Sequence, residues 1–274
     1  MEIDRRAFIA SLGGAAAVNL MGDEAKADAL EEYMMRELRI AQTQTGGTAP
    51  AVFPSVAELE AQIETRIYRR GAGNLWLART GNVKRLPAMP QKPTLIDFFN
   101  LRFNQTSNHC LQSANLAMKN NMSEEIVLAC LLHDVVQELI KVDHGWWGAQ
   151  LFEPYISERA VFAIRYHQAL RFYADPANGY EYPDLYRRIF GHDYRPEPYI
   201  EQTYQMVRKH KWYGDARMVT VNDLYAFDAT AKVGLEQFTD IIGRHFKGPK
   251  EGLGYDNSPV AHMWRSIERP DAPL

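Results

Sequence analysis

Cysteine is almost missing from this chain: Cys110 and Cys130 are the two in 274 residues. Their scarcity excludes a disulfide-dense scaffold and any zinc site of the CxxC kind. Basic residues hold no excess either, with 31 Lys and Arg against 34 Asp and Glu for a net charge of -3. That balance lacks the basic stripe that nucleic-acid binding draws on, so nucleic acid is not expected as a partner. No run of about 18 apolar residues occurs, and no membrane span is expected. Internal repeats and low-complexity tracts are also missing. What is present is 46% apolar and 24% charged residues, a composition too apolar for a disordered chain. A chain of this length buries most of its unfolded surface and needs no covalent or metal staple to fold.

The N-terminus carries Arg5-Arg6-Ala7-Phe8-Ile9, then a mildly apolar stretch from Ala10 to Val18. Paired arginines before such a stretch resemble a twin-arginine export signal, and Ala25-Lys26-Ala27 offers a small-x-small cleavage site. Residues 1–29 are therefore read as a leader and the protein as periplasmic, exported in the folded state. Glu2 and Asp4 weaken the positive charge of such a signal. The alternative is a retained, cytoplasmic segment with a helix over 25–41 that presents Leu30, Met34 and Leu38 on one face.

Residues 30–93 read as a helical extension. It holds a loop over 43–54, a short helix over 56–70 and a Gly/Pro-containing connection over 71–93. From 94 to 246 the apolar spacing is helical nearly throughout. Helices are expected over 95–119, 123–140, 144–152, 156–174, 182–190, 196–210, 216–231 and 233–246. Strand-like alternation is almost absent, so the expected class is all-α, a helical bundle. Residues 247–274, with three Gly and four Pro, are expected to wrap over the bundle as an irregular tail.

The helix expected over 123–140 is the most informative. Ser123 suits its N-cap, and Glu124 and Glu125 suit the positive end of the helix dipole. The run Ile126–Leu132 is apolar on every face, as in a helix at the centre of a bundle. His133 and Asp134 follow directly. Two adjacent titratable groups on a buried helix are costly unless they bind a metal or are fully paired.

Other residues complete an ordered set: His109, His133-Asp134, His144, His167 and Asp223. Apart from the adjacent pair, each falls on or at the start of a different expected helix, and side chains projecting inward from separate helices build metal sites in bundles. Four imidazoles and two carboxylates suit iron, manganese or zinc better than calcium. Six ligands suit two ions sharing a bridging carboxylate, with Asp134 as the bridge.

The motif His109-x-x-Gln112-x-Ala114, followed by Ala129-Cys130-Leu131-Leu132-His133-Asp134, resembles the HD-domain metalloproteins. The resemblance spans about residues 95–230. Two further histidines after the HD pair point to a dinuclear subclass. Tyr166-His167-Gln168, with no GYP downstream, does not fit the cyclic-dinucleotide phosphodiesterases of that kind. The segment from His144-Gly145-Trp146-Trp147 through Phe152 and Val161 to His167 looks like the mixed-valent diiron oxygenases, among them the phosphonate-cleaving enzymes and myo-inositol oxygenase. So does Asp215–Asp223.

This resemblance implies that His109, His133, Asp134 and Asp223 hold one iron, and that Asp134, His144 and His167 hold the other. Asp228 is the fallback for the late aspartate. It implies a mixed-valent Fe(II)/Fe(III) pair, with manganese or zinc as alternatives. The implied reaction is oxidative cleavage of a C–C or C–P bond of a small polar substrate, with O2 as co-substrate. The alternative within the superfamily is a metal-dependent phosphohydrolase, in which two ions activate a bridging water.

The chain departs from the oxygenases at several places. Gln137 stands where they carry a substrate-facing Lys or His, and Arg171 where the phosphonate enzymes carry Lys. Phe99 and Arg102 stand near the places of their Tyr and Glu. Arg171, one turn beyond His167, is expected to hold an anionic substrate group beside the metals, with Gln137 also facing substrate and Arg102 adding a second cation. One of Trp146 and Trp147 is expected in the core and the other at the pocket. The tyrosines of 172–199 read as packing of an irregular connection or as a cap over the pocket. His192, His210, His245 and His262 read as surface or satisfied histidines. Cys110 and Cys130 read as buried small apolar residues.

Overall fold

The computed structural model describes residues 4–44, 86–103, 106–182, 186, 191 and 194–270, and every regular element among them is helical apart from one isolated bridge between Asp175 and Tyr180. Three helices come from the N-terminal segment: α1 (Arg5–Ser11), α2 (Ala15–Asn19) and α3 (Asp23–Gln44). The bundle follows as α4 (Leu95–Leu101), α5 (Ser107–Lys119), α6 (Glu124–Leu132), α7 (His144–Phe152), α8 (Glu158–Leu170), α9 (Pro198–Val207), α10 (Tyr213–Leu224) and α11 (Thr239–His245). A last helix, α12 (Ala261–Glu268), lies in the C-terminal tail. None of the described helices is long and apolar enough to cross a membrane. The helix expected over 56–70, most of that over 182–190, and His192 lie outside the described residues.

At the centre is α6. All seven residues from Ile126 to Leu132 are buried, and the helix packs against α5, α8, α10 and α11. A helix apolar on every face has no solvent side to lose, so its neighbours enclose it. Ser123 occupies the N-cap position without a capping side-chain bond. Glu124 pairs outward instead with Arg244 (2.6 Å) and His245 (2.7 Å) of α11.

Several expected helices are shorter or broken. The segment expected over 95–119 splits into α4 and α5. A capping box starts α4, in which the Asp97 carboxylate accepts from the Thr94 N–H (2.8 Å) and the Thr94 hydroxyl accepts from the Asp97 N–H (3.3 Å). It ends at Arg102, whose guanidinium reaches the carbonyls of Glu268 (2.7 Å) and Pro87 (3.0 Å). Arg102 thus ties the end of α12 to the bundle and is not the second cation expected beside the metals.

The tail is likewise not irregular throughout. Ala261, Trp264 and Ile267 recur at helical spacing and are all buried in α12. Trp264 is fully buried against the rings of Phe98 (4.7 Å) and Phe152 (5.8 Å). The Gly and Pro residues that suggested an irregular tail flank this helix rather than interrupt it.

Candidate metal centre

The helix expected over 123–140 stops at Leu132, and this break builds the site. His133 caps α6 and Asp134 takes φ -112° and ψ 0°, after which Val135–Glu138 form a single 3-10 turn. The side chains of His133 and Asp134 thereby enter the space between α5, α7, α8 and α10. His109 arrives from α5, His144 from the first residue of α7, His167 from α8 and Asp223 from α10. All six are buried, the most exposed being Asp223 at 5%.

The donor atoms fall into two groups that share one residue. His109, His133, Asp134 and Asp223 converge as one set and Asp134, His144 and His167 as another, each compact enough for a metal ion. The Asp134 carboxylate is divided between them. Its Oδ2 lies 3.5 Å from Nε2 of both His109 and His133, and its Oδ1 lies 3.0 Å from Nε2 of His144 and 3.3 Å from that of His167. Asp223 Oδ1 closes the first group, 3.0 Å from His109 Nε2 and 3.8 Å from His133 Nε2.

Hydrogen bonding sorts the two nitrogens of each imidazole. Nδ1 of His109 faces the carbonyl of Ala226 (3.1 Å), His133 that of Cys130 (2.8 Å), His144 that of Lys141 (2.9 Å) and His167 that of Ile164 (2.6 Å). A carbonyl can only accept, so Nδ1 carries the proton and Nε2 keeps its lone pair in the neutral ring, the tautomer a metal-ligating histidine adopts. The four Nε2 atoms and both Asp134 oxygens are buried with no hydrogen-bond partner. Six orphaned polar atoms at one point would be prohibitively costly in a finished core. Their donor set fits two divalent or trivalent ions of the iron, manganese or zinc type.

Without ions the cluster holds protons. Burial disfavours the charged ring of His133, but Asp134 and Asp223 outweigh it and lift its pKa to about 9. At His144 burial is likewise overcome by Asp134, Asp28 and Glu31, giving about 10. His109 is raised in the same way, whereas burial prevails at His167 and lowers it. Asp134 is held well below the ordinary carboxylate range: burial works against ionisation, and His133 and His144 overcome it.

Helix α3 forms one wall. A cleft of about 420 Å³, its open mouth included, is lined by Leu30, Glu31, Arg171, Tyr180, Thr220 and Asp223 among others. Glu31 Oε2 accepts from Arg171 Nη1 (2.7 Å) and Gln137 Nε2 (3.0 Å) and lies 3.8 Å from His144 Nε2. Asp28, one turn earlier, accepts from Arg171 Nη2 and from Gln168 Nε2 (2.7 Å). Arg171 and Gln137 do lie beside the cluster, but α3 already engages both. Burial pushes the Glu31 carboxyl up to about 7 against the pull of Arg171.

Asp28, Glu31 and His144 also converge closely enough for a cation, and the Arg171 guanidinium fills that role. Sequence reasoning passed over Asp28 and Glu31, since the first lies in the stretch read as a leader and the second just beyond it. An acidic pair at i and i+3 beside the apolar residues of a helix was the signal available.

The remaining candidates separate clearly. Asp228 is exposed and bonds locally to Thr230, leaving Asp223 as the late aspartate of the cluster. Gln112 of the motif holds the loop after α10, donating to the Asp228 carbonyl (3.1 Å) and accepting from its N–H (2.9 Å). Phe99 is buried in the core, and Trp146 and Trp147 form an edge-to-face pair (4.8 Å) that is 46% and 36% exposed and away from the cleft. Tyr180 and Tyr186 do line the cleft, and the Tyr180 hydroxyl donates to the Arg171 carbonyl (2.8 Å). His210 stacks on Phe162, while His262 contacts Arg265. Cys110 and Cys130 are both buried and are not joined in a disulfide.

No curated protein matches the chain in sequence. Residues 106–230 match the family model of the HD domain, a span that contains all six converging residues. The helical unit over 106–230 is thus similar to the HD domain, a match that covers a little under half of the chain.

Proposed function

We propose that this chain is a dinuclear iron oxygenase of the HD superfamily, acting on a small polar substrate with O2. The observation that carries the dinuclear reading is the divided carboxylate of Asp134, each oxygen facing a different pair of unpartnered Nε2 atoms. His109, His133, Asp134 and Asp223 would hold one iron, and Asp134, His144 and His167 the other. When bound, two irons would supply O2 activation and pass electrons from the substrate to O2 in oxidative C–C or C–P cleavage.

The chain's own residues prepare the place for that chemistry. The Nδ1–carbonyl bonds fix each imidazole so that Nε2 points inward without rearrangement. Leu30, Met34, Leu224 and Phe227 give the cleft an apolar lining that limits water. Thr220 donates to the His167 carbonyl (2.8 Å) and holds the end of α8 against α10. Glu31, near neutrality in its own titration, is placed to accept or hold a proton at Oε2 beside His144.

The pairing of Arg171 with Asp28 and Glu31 weighs on the substrate. A guanidinium between two carboxylates adds no net positive charge to the cleft wall, which favours a substrate of low negative charge over a phosphonate or a phosphate ester, and so C–C over C–P cleavage. The second reading, an HD-type phosphohydrolase, rests on the same ligands, since two divalent ions could activate a bridging water.

Elemental analysis and EPR of the partially reduced protein test the choice. About two irons per chain with a mixed-valent signal, followed by O2 consumption on substrate screening, is the expected result. Zinc, manganese or a single ion without that signal moves the assignment to the phosphohydrolase.

A further inference from the structure

The stretch that reads as an export leader is folded onto the candidate site. Asp4 caps α1, its carboxylate accepting from the N–H groups of Arg6 (2.9 Å) and Ala7 (3.4 Å). Phe8 of α1 is fully buried, edge-on to the ring of Tyr33 on α3 at 5.3 Å, in one cluster with Leu30. On α3, Ala27 is fully buried among Ala169, Phe172, Tyr194 and Ile200. Asp28, Leu30 and Glu31 follow at once, the first holding Arg171 and Gln168 and the other two lining the cleft. Helix α3 is thus latched by α1 through Phe8 and locked to α8 through Asp28 and Glu31.

We propose that residues 5–27 are a built-in clasp, in which α1 holds α3 across the mouth of the metal cleft, and that they stay attached to the folded protein. The bond after Ala27 lies inside a helix, and a protease needs an extended, accessible strand of chain. To expose it, α3 must unwind and release the bonds of Asp28 and Glu31 to Arg171, Gln168 and Gln137. The inference rests on the metal-centre reading only for what lies behind the cleft.

Hydrogen exchange on the full-length metal-free chain tests the clasp without any metal. Peptides covering 24–34 should be protected in the wild-type protein. In Phe8→Ala their exchange should rise about tenfold or more, while peptides over 107–132 keep their protection. Exchange of 24–34 at free-helix rates in the wild type overturns the proposal, as does no change in Phe8→Ala. If Phe8→Ala loses protection everywhere, Phe8→Leu replaces it and the wild-type arm still decides.

Two more readouts complete the test. Intact mass of the protein from a host with twin-arginine export should retain residues 5–27, and a chain beginning at Asp28 overturns the proposal. Stopped-flow uptake of Fe(II) or Mn(II) should be faster in Phe8→Ala, with the same final number of ions, and an unchanged rate overturns the placement of the clasp over the cleft. Should neither protein bind a metal, the metal-centre reading fails by itself and the exchange data judge the clasp alone.

Discussion

Asp134 turns its Oδ1 toward Nε2 of His144 at 3.0 Å while its Oδ2 faces the opposite half of the cluster, 3.5 Å from His109 and His133. One carboxylate therefore serves two ligand sets, and the halves should come apart by mutation. His144→Ala removes a ligand from one half alone, so metal content should fall from about two ions per chain to about one. Asp134→Ala removes a ligand from both and should abolish tight binding at both positions. Elemental analysis after gel filtration separates these outcomes, and equal losses in the two variants would argue against a bridged pair.

Arg171 lies buried between Asp28 and Glu31, and its truncation should act first on stability. Arg171→Ala leaves two carboxylates buried without their cation, a change that costs about 3–5 kcal/mol when a buried pair is broken. Thermal unfolding should show this as a Tm drop of roughly 10 °C or more. The triple variant Arg171→Met, Asp28→Asn, Glu31→Gln removes the charges together and should recover much of the loss. A near-neutral Arg171→Ala with a raised KM would instead return Arg171 to the role of a free anion-holding residue.

The histidines and Asp134 were legible in the sequence because chemistry and pattern coincide there. A run buried on every face, ending in His133-Asp134, demands a metal or a pairing network whatever surrounds it. Arg171 and Gln137 were legible as neighbours of the cluster, since helical spacing places them. Their partners were not, because Asp28 and Glu31 lie more than 100 residues away in the chain and local spacing carries no record of such a contact. Helix α12 was hidden for a different reason: Pro and Gly on either side outweighed the three-residue spacing of Ala261, Trp264 and Ile267. At the end of α4, Arg102 bonds to the carbonyl of Glu268, 166 residues away in the chain, a tertiary contact of which the helical spacing of the segment carries no record.

The metal-free protein should lose stability as the medium turns alkaline. His133 and His144 have folded pKa values of about 9 and about 10 against an ordinary 6.5. Between 6.5 and those values the native state binds more protons than the unfolded chain, so stability falls with rising pH. The contribution is complete below 6.5 and gone above about 10. Glu31, raised from 4.5 to about 7, acts in the same direction at lower pH. Asp134, lowered below 3.8, opposes them in acid, where its protonation removes stability. The Tm of the metal-free chain should therefore be lower by about 5 °C or more at pH 9.5 than at pH 6. Metal ions replace those protons, so affinity should rise with pH and binding should release protons into a weakly buffered solution. A flat Tm profile for the metal-free chain would mean that the imidazoles titrate normally.

Gly145 sets how closely α7 approaches α8, and its replacement tests whether the second ligand set depends on that approach. A Cβ at Gly145 would lie 2.9 Å from the Ile164 carbonyl oxygen and 3.1 Å from Cε1 of His167. Neither neighbour yields cheaply, since one is helix backbone and the other a ring pinned by its Nδ1 bond to that same carbonyl (2.6 Å). Gly145→Ala should cost about 1–3 kcal/mol and push His167 away from Asp134 Oδ1. On the dinuclear reading, metal content should then fall by about one ion per chain, from the His144 and His167 set, while the His109, His133 and Asp223 set keeps its capacity to bind. Gly148→Ala, one turn along α7, is the matched control, because its Cβ would meet the Ile164 side chain at 3.4 Å in ordinary contact. Equal metal loss in both variants would trace the defect to α7 as a whole, whereas loss in Gly145→Ala alone assigns it to the contact with His167.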